Sequence, residues 1–236
     1  MKLKNTPNLN IQCNSTNIQS KSVVKYLGAE IDQYVSGEDM AQKTIKKVSS
    51  RTKFLARKRK YLDAETMKLL ASALVQCHLD YSCSSWYSGL TQKTKNNLQI
   101  CQNKLIRTVL NLHPRTHLYY THFKLLNWLP VVKRVTQLKL NHVHQIVNGS
   151  SPNYLLDYFT PIRNIHNVRT RSSQMSLVIP RFRSLLGKSS FKYTGAIAWN
   201  HLPLHIQSIV QKNNFKKSVK CHLLDSILSD ENSLYV

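Results

Sequence analysis

Residues 41–62 read AQKTIKKVSSRTKFLARKRKYL. Ala41, Ile45, Val48, Thr52, Leu55 and Leu62 recur at mostly three- and four-residue steps, which puts them on one side of a helix turning about 100° per residue. The remaining positions hold Lys43, Lys46, Lys47, Arg51, Lys53, Arg57, Lys58, Arg59 and Lys60, with no acid among them. Lys43, Lys46, Lys53, Arg57 and Lys60 fall in one stripe opposite the apolar face, with Lys47 on its flank. Such a helix runs roughly 30 Å at 1.5 Å per residue, about one turn of a nucleic acid duplex. Cations repeated along that rod can meet successive phosphates, a contact that holds position without reading bases. A merely solvated helix face usually mixes signs. A helix lying on a membrane would carry aromatic anchors, which are sparse here.

Outward from this stretch the helical pattern continues. Asp63 caps a second helix with Met67, Leu70, Leu74, Cys77 and Tyr81 on its inner face, and Gly89 ends it. Thr91 caps a third helix lined by Leu98, Cys101, Leu105, Val109 and Leu112, which stops near Pro114. Three amphipathic helices with short connections predict a small bundle over residues 36–118. Upstream, Ser36 and Asp39 resemble a capping box. Residues 9–13 and 23–32 (VVKYLGAEID) read as two strands of a hairpin, with residues 14–17 as turn chemistry. Downstream, Pro130 separates a short helix from a longer one over 131–147. Residues 161–190 read as loop with one strand, MSLVI, and helices near 191–200 and 214–228 follow. The expected fold is mainly α: an N-terminal β-hairpin (1–35), a basic three-helix bundle (36–118) and an irregular helical C-terminal region (119–236).

Lys and Arg number 34 against 11 Asp and Glu, a formal charge of +23. Between Tyr81 and Leu224 the only carboxylate is Asp157. A compact chain so charged repels itself unless a polyanion neutralises part of it, so nucleic acid leads as partner. Five cysteines and no apolar leader predict reduced thiols and an intracellular place, in cytoplasm, nucleus or both. No apolar run approaches the ~20 residues that span a bilayer.

A second basic cluster comprises Arg163, Arg169, Arg171, Arg181, Arg183 and Lys188, where the predominance of arginine suits bidentate phosphate contacts. A flexible charged loop reads equally well from the same residues. Metal chemistry is poorly supplied. Cys77 and Cys83 lie farther apart than zinc ligands usually do, His113 and His117 are their only company, and His142 and His144 point to different sides of a helix. Glu30 and Asp32 share one face of a strand, whereas Asp63 and Glu65 diverge on a helix. No Gly-rich phosphate loop or nucleophile elbow occurs. No cofactor, metal site or catalytic residue is expected.

Taken together, Lys25-Tyr26-Leu27-Gly28, LASALVQCHLDYSCSSWYSG (70–89), LQICQNKLIRTVL (98–110), LNWLPVVKRV (126–135), NGSSPNYLLDYF (148–159), RTRSS (169–173), IPRFRS (179–184), AIAWNHLPLHIQ (196–207) and FKKSVKCHLL (215–224) form an ordered set. That set resembles the C-terminal part of the reverse transcriptase of non-long-terminal-repeat (LINE-type) retrotransposons. The resemblance implies that the Lys-Tyr-Leu-Gly strand closes a polymerase palm and that the bundle is a thumb holding a template–primer duplex. The family's catalytic motif is an aromatic residue, a small residue and two aspartates. Tyr61-Leu62-Asp63-Ala64 comes nearest and lacks the second acid, so no catalytic residue carries over.

Three readings follow from the sequence. The first is a truncated retroelement product that binds RNA or DNA through Lys43, Lys46, Lys47, Lys53, Arg57, Lys60 and the arginine cluster, and is no enzyme on its own. The second is the C-terminal part of an active RNA-directed DNA polymerase. The third is an adaptor whose N-terminal hairpin docks on a separate palm or a host protein.

Overall fold

The computed structural model describes residues 11–14, 16–18, 20–162 and 175–229. The chain is mainly helical with small antiparallel hairpins at its N-terminal side. Strand β1 (Ile11–Cys13) pairs with β2 (Thr16–Ile18), and β3 (Val23–Tyr26) pairs with β4 (Ala29–Asp32). VVKYLGAEID is therefore a hairpin in its own right, not one strand. The chain reverses at Leu27 and Gly28, both at positive φ (45° and 85°), which is the two-residue turn that matches strand twist.

Helix α1 (Glu38–Lys58) follows and ends in a single tight turn, Arg59–Tyr61. Its buried face is Met40, Ala41, Thr44, Val48, Thr52 and Leu55. The expected capping box at Ser36 does not form: Gly37 stands at the cap position, the Ser36 hydroxyl accepts from the Glu38 amide at 3.2 Å, and a carboxylate from the strand before it organises the turn. Asp32 accepts from the Tyr34, Ser36 and Gly37 amides (3.0, 2.8 and 3.1 Å) and from the Ser36 hydroxyl at 2.5 Å. These donors lie in the turn before Glu38, so the acid shapes the approach to α1 and does not cap it.

Asp63 caps α2 (Ala64–Ala71), as its position predicts, by accepting from the Glu65 and Thr66 amides. A wide π turn, Ser72–Gln76, joins it to α3 (Cys77–Asp80). The buried positions step by four: Met67, Ala71, Val75, Leu79. A strict four-residue repeat drifts round an ordinary helix, and one wide turn takes up that drift. Cys77 and Tyr81, expected on the inner face, are consequently exposed. Helix α4 (Cys83–Trp86) and α5 (Gln92–Leu110) complete the bundle, with Thr91 capping α5 through its side chain.

Helices α6 (Tyr120–Leu126) and α7 (Val131–Val147) belong to both halves of the molecule. Leu118, Phe123, Leu126, Trp128, Val131 and Val135 pack into the bundle core, whereas Tyr120, Leu129, Leu140 and Val143 pack into a second core. The second core is completed by α9 (Phe191–Asn200), α10 (Leu204–Gln207) and α11 (Lys212–Ser229); the short α8 (Leu185–Ser189) precedes α9. A cut between 118 and 119 thus does not separate the cores. MSLVI forms no strand: Leu177 makes one isolated bridge to Pro161, and the Asn200 side chain brackets its amide and carbonyl, each at 2.8 Å.

Candidate nucleic-acid interface

The α1 surface opposite the core carries Lys46, Lys47, Lys53 and Arg57, all exposed, and Lys60 continues the stripe into the tight turn. None of these five makes an ion pair among the described residues. Lys60 lies over the Tyr61 ring at 4.8 Å. Lys43 stands apart, half-buried and paired with Glu30 of β4. Glu30 and Asp32 do share a strand face, as their spacing requires. That face meets α1, where one acid holds Lys43 and the other gathers the amides of the turn that leads into the helix.

The near end of the stripe borders a hollow of about 310 Å³ lined by Lys25, Lys43, Lys47, His78 and Tyr81. Burial first, and then the charges of Arg51 and Lys47, hold the His78 imidazole below its ordinary pKa. Burial and the neighbouring like charges act in the same direction, against protonation of this imidazole. Tyr81 donates its hydroxyl to the Leu27 carbonyl, fastening the hairpin turn to the helix behind.

Lys104 and Arg107 of α5 also stand beside α1, together with Arg59. Sequence reasoning missed this pair, because it was attached to no stripe. Its signal was the three-residue step between two cations flanking the inner face Leu98, Cys101, Leu105 and Val109. Of the second cluster, Arg181 and Arg183 are exposed on the chain leading into α8. Arg163, Arg169 and Arg171 lie outside the described residues.

Among the described residues no three His, Cys, Asp or Glu side chains come together as a metal site requires. Cys77 is exposed and Cys83 buried; His144 is buried in the second core, stacked on Phe215 at 4.0 Å. No helix among the described residues is long and apolar enough to cross a membrane. Comparison with protein-family models, curated proteins and solved structures returns no match.

Proposed function

We propose that the chain holds the phosphate backbone of a nucleic acid duplex along α1. The observation that carries this reading is the row Lys46, Lys47, Lys53, Arg57 and Lys60, solvent-facing and free of carboxylate partners among the described residues. Unpaired cations at helical spacing release counterions when they meet phosphates, and that release drives binding of this kind. The resemblance to a LINE-type reverse transcriptase gives the ligand a form, a template–primer duplex, and gives the bundle the part of a thumb. In this reading the chain grips and does not polymerise by itself, and it works inside the cell.

The test is binding of a fluorescent RNA–DNA hybrid across a salt series. A grip on about six phosphates gives a log–log slope near −5. Replacing Lys46, Lys53, Arg57 and Lys60 with Gln should flatten the slope by about three units. An unchanged slope would remove α1 as the contact surface.

A second reading has its own observation. Val24, Tyr26 and Ile31 share the outer face of the β3–β4 hairpin, since Val24 pairs with Ile31 and Tyr26 lies two residues on. All three are exposed, as are Leu27, Tyr34 and Val35. An apolar face of this kind suits a protein partner, and a complex in light scattering that is lost with Tyr26→Lys would support an adaptor role.

A further inference from the structure

A cavity of about 580 Å³ lies between α1 and α5, within the range of small-ligand sites. Four cations line it, Lys53, Arg59, Lys104 and Arg107, and no carboxylate does. Two of them are already oriented by neutral acceptors. Arg59 donates to the Asn111 side-chain oxygen, and Arg107 Nε donates to the Thr116 carbonyl at 2.9 Å. These contacts fix the guanidinium planes and leave their charge uncompensated.

The floor supplies an independent observation. Thr52 is 7% exposed, and its Oγ1 has no hydrogen-bond partner. A buried hydroxyl without a partner is destabilising; Thr52 lines the cavity, with its Oγ1 turned away from solvent. Beside it lie Ala56, Cys101 and Leu112. The cleft therefore offers cations toward solvent, where Lys53 and Lys104 are exposed, and an apolar floor with one unsatisfied hydroxyl.

The geometry points to a nucleotide-binding cleft: Lys53, Arg59, Lys104 and Arg107 take the phosphate, and the Thr52 hydroxyl, once its side chain turns about the Cα–Cβ bond, meets a polar atom of the sugar or base. The inference draws its ligand class from the nucleic-acid reading and shares Lys53 with the α1 stripe, but it stands on Thr52, Arg59, Lys104 and Arg107, which lie off that stripe. The nucleotide is either free or the phosphorylated end of a strand.

Isothermal titration of the full chain with ADP, inorganic phosphate and adenosine tests it. ADP should bind at least about tenfold tighter than either fragment, because only ADP uses both rim and floor. Lys104→Gln with Arg107→Gln should weaken ADP at least about tenfold. Lys104→Gln alone, at an exposed position, should retain the helical circular dichroism and still weaken ADP about threefold. Lys46→Gln with Arg57→Gln should leave ADP affinity within about twofold while weakening hybrid binding, so the two proposals fail separately. A 5′-phosphorylated oligonucleotide competing better than ADP identifies a strand end, and one competing worse identifies a free nucleotide. Absence of ADP binding, or equal losses in the stripe and cleft variants, would overturn the cleft.

Discussion

Asp32 shows how one side chain can set the course of the chain after it. Burial alone would push its pKa up, but the hydrogen bonds from Ser36, Gly37 and Tyr34 together outweigh that and hold it below the ordinary value. A carboxylate with a depressed folded-state pKa stabilises fully above its unfolded pKa, and that share is lost as pH falls through the folded one. Asp32→Ala should cost about 2–3 kcal/mol in urea unfolding at pH 7, and the gap to the parent should narrow below about pH 4. Lys139 is the opposite case. It is buried between the two halves, donating to the Ser88 and Thr194 hydroxyls with no carboxylate at hand. Burial brings its pKa down to about 8. Between about pH 8 and pH 10.5 the unfolded chain binds more protons at this residue, so its share of stability rises with pH across that window. Urea midpoints should show that rise in the parent and lack it in Lys139→Met; parallel pH profiles would contradict the burial of a charge there.

Among the elements, the start of α1 is held by close backbone contact as well as by charge. Gly37 sits at φ 76°, and a Cβ there would lie 2.5 Å from the Trp86 carbonyl oxygen; one on Gly89 would lie 2.7 Å from that of Ser36. Gly37→Ala should destabilise by about 2–4 kcal/mol, combining left-handed strain with the clash, as read by the urea midpoint. A loss under about 1 kcal/mol would show that the two main chains can part. The inner face of α1 was legible because Ala41, Val48, Thr52 and Leu55 keep helical steps, and Asp63 and Thr91 announced their helices by cap chemistry. VVKYLGAEID misled because its alternation hides a turn; the mark was Gly28, a residue that weakens a strand interior. Cys77 and Tyr81 were misplaced because one wide turn rotates everything beyond it, and no local residue type specifies such a turn. The α1–α5 cleft could not be read, since it exists only when two distant helices lie side by side.

The described residues form two cores, with α6 and α7 common to them. Gln102 of α5 donates to the Leu129 carbonyl at 2.8 Å, Gln99 accepts from the Val131 amide at 2.8 Å, and Arg134 of α7 grips Asp80 of α3 with two bonds of 3.0 and 2.7 Å. These bonds at the start of α7 therefore tie it to the bundle, while Lys133 of the same turn donates to Ser226 of α11 at 3.2 Å and the helix packs along α9 and α11. Unfolding should be cooperative across the halves. Trp86 reports on the first core and Trp199 on the second, so variants keeping only one of the three tryptophans should give superimposable urea transitions. Separated midpoints would mean that α7 does not couple the cores. The crossing of Gly37 over Trp86 carries a mechanical corollary. With main chain against main chain there, and Tyr81 clamping the turn at Leu27, the hairpin has no soft joint at its base. A load on Tyr26 or Ile31 is thus passed to the cationic rod as a tilt of the rod itself, so, on the proposed reading, anything seated on that small sheet steers the angle at which the rod meets a nucleic acid.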